Sequence, residues 1–333
     1  MKSKKKILVT GGAGYIGSFT VQALKKSGYE PIVFDSLETG HQETIPETQL
    51  YVGDLKTDTK LLDKVFKKEK PEAVVHFAAY IEVGESVKDP QKYFLNNVGG
   101  SLNLLRAMIK NKVKKIVFSS TAAVYGEPKK IPINEEEPKI PTNPYGETKL
   151  TVEKILKWYG QAFGLSSISL RYFNAAGAAL DGAIGEDHHP ETHLVPLAIE
   201  AALGKRRGFK IFGGDYDTPD GICIRDYIHV LDLAEAHLLA LKFLEKDNQG
   251  FQVYNVGTGQ GHSVLEVVEM VKKVSGISFS SPIGKRRQGD PARLIASPQK
   301  IKRELGFKPK YSDLKTIVES AWKWHNKNPE GFE

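Results

Sequence analysis

The sequence predicts an α/β protein, a doubly wound parallel sheet followed by a smaller mixed α/β unit. Three observations carry this prediction. Through the first half, short β-branched runs alternate with longer amphipathic stretches, the pattern of strands joined by crossover helices. Runs such as Ile7-Leu8-Val9 and Ile116-Val117-Phe118 are apolar throughout, as strands covered on both faces must be. The first run also breaks at Thr10-Gly11-Gly12-Ala13-Gly14-Tyr15-Ile16-Gly17 directly into an amphipathic stretch.

Taken in order, strands are expected at 6–10, 31–35, 49–52, 73–77, 115–119 and 167–171, with helices at 14–27, 59–68, 90–111 and 144–163 between them. Right-handed crossovers then place ligands at the carboxyl ends of the strands. Beyond Phe173 the texture changes, with Gly177, Gly182, Gly185, Pro190, Gly213-Gly214, Pro219 and Gly221 breaking the rhythm. Helices are expected there at 195–203, 264–275 and 314–326. The first unit is accordingly set at 1–175, with the helical stretch inside 225–245 packing back on it, and the second at 176–333.

Composition narrows the function classes. Hydrophobic residues at 40% and charged residues at 26% make a globular chain rather than a disordered one. The single cysteine, Cys223, excludes an internal disulfide and a cysteine-based zinc cage, and fits a reducing cytoplasm. No metal is expected. The basic start runs into an apolar stretch that ends at Thr10, too short for an export signal or a membrane span. The net charge of +7 is scattered through small groups such as Lys67-Lys68 and Lys205-Arg206-Arg207. With no aromatic-interleaved basic stripe, an anionic small molecule is the expected partner, not nucleic acid or membrane.

Two constellations carry chemistry. In Gly11-x-x-Gly14-x-x-Gly17 the glycines permit a tight turn and close backbone approach, and the free N–H groups of the helix start bind a pyrophosphate. Asp35 closes the next strand, where a carboxylate accepts from an adenosine ribose and disfavours a 2′-phosphate. Ser36, in place of an arginine, also favours NAD over NADP. Farther on, Tyr145 and Lys149 stand four apart at a helix start and so share one face. An ammonium and an oxidised nicotinamide nearby would stabilise the phenolate of a tyrosine acting as base. Thr121 closes the strand Ile116-Val117-Phe118 and stands at the ligand-bearing edge, where its hydroxyl can hold a substrate oxygen.

With these residues the chain resembles the extended short-chain dehydrogenase/reductase family, and within it the UDP-glucose 4-epimerases. The resemblance runs nearly end to end through Val9-Thr10-Gly11-Gly12, Val83-Gly84-Glu85-Ser86, Arg171-Tyr172-Phe173-Asn174, Gly185-Glu186-Asp187, Arg225-Asp226-Tyr227-Ile228-His229-Val230, Arg287-Gln288-Gly289-Asp290 and Trp322-Lys323-Trp324-His325. It implies a Rossmann-type NAD unit and a UDP-sugar unit behind it. For the cofactor it implies Gly11, Gly12, Gly14, Tyr15, Ile16 and Gly17 at the pyrophosphate. Asp35, Ser36 and Gly40 would face the adenosine ribose, and Asp54 and Leu55 the adenine. Phe77, Ala78, Ala79 and Asn96 would line the cofactor, with Tyr145, Lys149 and Phe173 near the nicotinamide. For the nucleotide sugar it implies Thr121, Tyr145, Asn174, His193, Phe212, Arg225, Tyr227, Arg287, Asp290 and Leu294.

The implied reaction oxidises the sugar transiently at C4, lets the 4-keto sugar rotate, and returns the hydride to its other face. Departures from the family pattern are Ile81, where some members carry a lysine, and His193, where some carry an asparagine. Leu294 stands where some carry a bulky tyrosine, which leaves UDP-N-acetylglucosamine epimerisation or dual specificity open. A sugar-nucleotide 4,6-dehydratase would need acidic residues after Thr121, where this chain has Ala122-Ala123. A non-catalytic NAD-sensing regulator is the reading from another class, and it has no use for Tyr145 and Lys149 together with a diphosphate clamp. Related enzymes pair through helices equivalent to 90–111 and 144–163, the second presenting Ile155, Leu156, Trp158 and Tyr159, so a homodimer is expected.

Overall fold

The computed structural model describes residues 4–246, 250–286 and 290–332. Strand β1 (Lys6–Thr10) enters helix α1 (Tyr15–Lys26), and β2 (Glu30–Asp35) and β3 (Gln49–Val52) follow. Helix α2 (Thr59–Glu69) leads to β4 (Ala73–His76); helices α3 (Val83–Lys88), α4 (Pro90–Tyr93) and α5 (Gly100–Lys110) lead to β5 (Lys115–Thr121). Helix α6 (Pro144–Phe163) then precedes β6 (Ser166–Tyr172). These strands and β11 (Phe251–Val256) form one parallel sheet in the order β11-β6-β5-β4-β1-β2-β3. The strand order reverses at β1 and β4, which run parallel side by side, and that switch point opens the crevice in which such sheets bind ligands.

The uniformly apolar strands are buried on both faces, as the sequence predicts. Ile7 and Val9 of β1 face a layer containing Val21 and Leu24 of α1 and Leu233 and Leu241 from a later helix. Leu8, between them, faces Leu62 and Phe66 of α2 and Leu104 of α5. All three strand residues are fully buried, each contributing about 1.5–3 kcal/mol relative to an exposed side chain.

Two sequence expectations are corrected. The helix expected at 90–111 is interrupted: Asp89 caps α4 through Lys92 N–H, and a π-helical turn, Phe94–Gly99, separates α4 from α5. Buried Asn97 lies in that turn and holds Tyr80, accepting its N–H at 2.8 Å and donating to its carbonyl at 3.1 Å. The second correction concerns β11 (Phe251–Val256), which was grouped with the C-terminal unit. It pairs with β6 as the seventh strand of the sheet, reached through α8 (Val230–Lys246), whose Leu233, Ala236 and Leu241 pack on the α1 side.

A separate core joins α7 (Leu194–Ala202), α9 (Val264–Ser275) and α11 (Leu314–Lys327) through Val195, Ile199, Val268, Val271, Ile317 and Val318. Short strands surround it: β7 (Asn174–Ala176), β8 (Ile211–Phe212), β9 (Ile224–Arg225), β10 (Tyr227–His229), β12 (His262–Ser263), β13 (Ile283–Gly284) and β14 (Arg293–Leu294). Helix α10 (Gln299–Leu305) returns to β11, its Ile301 and Leu305 lying in the core on the α1 side of the sheet. Among the described residues no helix is long and apolar enough to cross a membrane.

Candidate active site

The glycine turn lies at the carboxyl end of β1, beside the switch point. Gly11 has φ +71° and donates to the Phe34 carbonyl at 3.0 Å, and a Cβ there would lie 2.5 Å from Ala78 N, so no other residue fits. Gly17 is equally constrained, because a Cβ would collide with the Gly11 carbonyl oxygen. Gly14 differs: its nearest neighbour to an added Cβ is that same oxygen at 3.5 Å, leaving one side of the turn open. No side chain caps α1 and its first turn holds no acidic residue, whereas α6, α9 and α11 are capped by Asn143, Ser263 and Asp313. An uncapped helix start beneath an open glycine turn is what a pyrophosphate requires.

Asp35 is buried at the end of β2. Its two oxygens accept from Ala13 N–H and Leu37 N–H, both at 2.9 Å. Burial raises its pKa, while these hydrogen bonds pull the other way. Ser36 is exposed and its hydroxyl accepts from Glu38 N–H at 3.3 Å, while Gly40 packs against Ala13. Asp54 accepts from Lys56 N–H at 2.7 Å and leads into buried Leu55. Phe77 and Ala78 both donate to the Thr10 carbonyl, and Phe77 lies 4.6 Å from the His237 ring. Ala79 is half-buried, and Asn96 donates to Asn97 at 3.0 Å. Tyr15 opens α1 with its hydroxyl on the Gly177 carbonyl at 2.5 Å, and Ile16 packs on the sheet core. The residues present therefore fit a dinucleotide with an unphosphorylated ribose.

At the carboxyl end of β5, Thr121 is buried, its hydroxyl accepting from Ala123 N–H at 3.2 Å and acting on the nearby Tyr145 phenol. Asn143 caps α6 through Gly146 N–H at 2.9 Å, and Pro144 occupies the first helical turn, so Tyr145 and Lys149 are set rigidly on the face toward β5. Burial pushes the phenol up to about 12, with the Thr121 hydroxyl opposing. Burial also brings Lys149 down to about 7. Its ammonium donates to the Ser119 carbonyl at 2.8 Å. His76, buried beside it, is held neutral by burial first and by Lys149 second, and joins Thr10 and Ser101 at 2.7 and 2.9 Å.

The second group of predicted residues lies mostly on the short strands β7–β10 and β14. Buried Arg225 donates to the Ile224 carbonyl at 2.8 Å and is ion-paired with Asp290. Asn174 N–H donates to the Asp226 carbonyl at 3.0 Å, and Tyr227 is buried with its pKa raised by desolvation. Phe212 is 37% exposed. Leu294 packs on a cluster containing Phe173, Tyr125 and Ile133. Ile81 is exposed. Arg287 lies outside the described residues. His193 precedes α7, and its Nδ1 is engaged by Glu186 at 2.8 Å and Glu191 at 3.0 Å.

Residues 7–257 match the model of the NAD dependent epimerase/dehydratase family. The chain belongs to this family. It is 53% identical to the UDP-glucose 4-epimerase of Lacticaseibacillus casei over 98% of each chain. The crystal structure of UDP-glucose 4-epimerase from Brucella ovis in complex with NAD superposes with a TM-score of 0.93 at 47% identity, covering 96% of this chain and 97% of that one. The Bifidobacterium longum UDP-glucose 4-epimerase in complex with NAD+ and UDP gives 0.93 at 40% identity, over 98% and 100%.

Within this NAD dependent epimerase/dehydratase chain, two groups escaped sequence reasoning. Glu153, on the inner side of α6, receives Arg171 at 2.5 and 2.9 Å and Ser120 at 2.6 Å, and Arg171 reaches the Tyr125 hydroxyl at 2.9 Å. This buried network ties β5, β6 and α6 together beneath Tyr145. The other is the set Glu186, His188, Glu191 and His193, whose ligating atoms gather within 4.8 Å of one another. Its signal is the repeated Glu and His in one short loop, of which only Glu186, within a family motif, and His193, as a nucleotide-sugar contact, stood out in the sequence.

Proposed function

We propose that this chain interconverts UDP-glucose and UDP-galactose. The observation that carries the reading is the placement of buried Tyr145 and Lys149 on the face of α6 toward β5, beside buried Thr121 and at the same sheet edge as the glycine turn. The chemistry supplied by bound NAD is reversible acceptance of a hydride from C4 of the sugar. Tyr145 Oη takes the proton of the 4-hydroxyl and later returns it to the 4-keto oxygen, once the sugar has turned its other face. Thr121 orients both oxygens through its hydroxyl. Burial keeps the phenol protonated, so forming the phenolate requires positive charge at the site, which an oxidised nicotinamide carries. Asn174 and Arg225 hold the diphosphate, Phe212 and Tyr227 the nucleoside, and Arg287 and Asp290 phosphate and ribose, so that the hexose can be held loosely enough to turn. Remote binding energy thereby serves chemistry at C4.

In this reading the seven-stranded unit holds NAD and the unit built on α7, α9 and α11 holds the sugar nucleotide. A homodimer and a cytoplasmic setting belong to the same proposal. Val87, Leu95, Trp158 and Phe163 on α3, the π-helical turn and α6 are 61, 58, 68 and 46% exposed, a large apolar surface for a monomer. The single cysteine fits a reducing compartment.

The test is to incubate purified protein, with no NAD added, with UDP-galactose and to separate the products. Conversion to UDP-glucose, with NAD recovered on denaturing the protein, is expected. No turnover despite recovered NAD would overturn the reading.

A further inference from the structure

The loop between β7 and α7 brings two carboxylates and two imidazoles together in a way the epimerase chemistry does not use. His193 Nδ1 lies 2.8 Å from Glu186 Oε1 and 3.0 Å from Glu191 Oε1. His188 Nδ1 lies 3.2 Å from Glu186 Oε1 and 4.0 Å from Glu191 Oε2. Four ligands placed about 2.0–2.1 Å from a tetrahedral ion stand roughly 3.3 Å apart, so these separations bracket the edge of such a tetrahedron.

Two further observations point to a ligand. The Glu186 and Glu191 side chains are 3% and 5% exposed, and among the described residues neither pairs with a lysine or arginine. His188 Nδ1 is fully buried and makes no hydrogen bond, because it is close to Glu186 Oε1 but misaligned with it. A buried ring nitrogen without a hydrogen-bond partner, among buried carboxylates, is a ligand set lacking its central charge.

We propose that Glu186, His188, Glu191 and His193 bind one divalent transition-metal ion of zinc's class as a structural brace. Imidazole nitrogen with carboxylate oxygen suits such an ion, whereas calcium and magnesium take oxygen ligands. Two carboxylates and two neutral imidazoles balance a charge of two. Four protein ligands close the coordination shell, which marks a structural rather than a catalytic site. The brace joins three elements. Tyr15, the first residue of α1, packs edge-on to His188 at 6.2 Å. Trp324 of α11 donates to the Glu186 carbonyl at 3.1 Å, and His193 leads directly into α7. Of the His193 ring nitrogens, only Nε2 then remains for other contacts.

The experiment is metal analysis of untagged protein by mass spectrometry, followed by EDTA treatment and titration with zinc chloride in a calorimeter. About one zinc per chain, retained or rebound, is expected, with a higher melting temperature in the metal-bound form. His188→Ala and Glu191→Gln should each weaken zinc binding by about tenfold or more, while Glu200→Gln, outside the cluster, binds as wild type does. If a variant fails to fold, cobalt titration of the wild-type chain decides: visible bands of tetrahedral cobalt, abolished by EDTA, support the site. Absence of metal from the purified protein together with no zinc uptake after EDTA treatment would overturn the proposal. In that case the imidazoles serve as protonated partners of the two carboxylates.

Discussion

Lys149 follows Tyr145 by one helical turn, yet its ammonium donates to the Ser119 carbonyl at 2.8 Å and stands 6.0 Å from the centre of the tyrosine ring. The lysine is thus tied to the end of β5, the strand that also carries Thr121, and acts on the tyrosine across a short distance through a dry medium. Burial keeps its proton affinity low and that of Tyr145 high, so the pair is poised with little charge between them.

This arrangement has a consequence for stability. Lys149 titrates near 7 in the folded chain and near 10.5 when unfolded. Between those values the unfolded chain holds a proton that the folded chain has released, so stability rises with pH across this window. Below about 7 both states are protonated and the slope vanishes. Urea unfolding at pH 7 and pH 9 should show wild type gaining up to about 2–3 kcal/mol more than Lys149→Met over that interval. Identical gains in the two proteins would contradict the buried, proton-poor lysine.

Replacing Tyr145 by Phe removes the acid–base group and leaves the ring in place. Turnover of UDP-galactose should fall by about 10²- to 10⁴-fold. Only one buried phenolic hydroxyl is removed, which costs at most about 1–3 kcal/mol, so the fold survives. Steady-state rates and the NAD content of the purified variant check this, and retention of NAD with near wild-type turnover would rule out Tyr145 as the base.

How much of this was legible in the sequence follows from what each residue's neighbours in the chain reveal. The buried parallel strands announced themselves because both faces are covered, so Ile7, Leu8 and Val9 could all be apolar. Tyr145 and Lys149 were legible because a helical turn is a local repeat. Strand β11 was not. Its sequence, Phe251-Gln252-Val253-Tyr254-Asn255-Val256, mixes polar residues into the run, and only its long-range pairing with β6 shows that it completes the sheet. Asn97 looked like an ordinary helix position, although its side chain serves Tyr80 and Thr148 and lies in the π-helical turn. Glu153 gave no local signal, because its partner Arg171 comes from the next strand. The Glu–His cluster depends on a loop whose path the sequence does not set.

The glycine turn separates two kinds of glycine. Gly17→Ala forces a Cβ into the Gly11 carbonyl oxygen, so both stability and NAD retention should fall. Gly14→Ala meets nothing closer than 3.5 Å, so its melting temperature should stay near wild type. The added methyl instead narrows the open side of the turn, and NAD retention should drop about tenfold or more as the close backbone approach is lost. Equal NAD content in Gly14→Ala and wild type would place the pyrophosphate elsewhere.

Trp158 tests the assembly. At 68% exposure on α6 it is a large apolar residue with little to bury it in one chain. Trp158→Arg should shift the species seen by size exclusion with light scattering from twice the chain mass to once, while far-ultraviolet dichroism is unchanged. A wild-type protein that runs as a monomer at micromolar concentration would exclude the dimer.

In the proposed reaction Leu294 sets how much room the sugar has. The residue belongs to β14 and packs half-buried on the cluster of Phe173, Tyr125 and Ile133, so a larger side chain at this position takes up space beside Phe173, which the family resemblance sets by the nicotinamide. Leu294→Tyr should therefore discriminate against the N-acetyl group. Steric exclusion from a pocket typically separates substrates by about 10- to 200-fold, so the ratio of kcat/KM for UDP-galactose over UDP-N-acetylgalactosamine should rise by at least about tenfold. The effect must appear in that ratio and not merely as a general loss, since disturbing the cluster around Phe173 would slow both substrates alike. A ratio unchanged from wild type, with both activities measurable, would remove Leu294 from the specificity pocket.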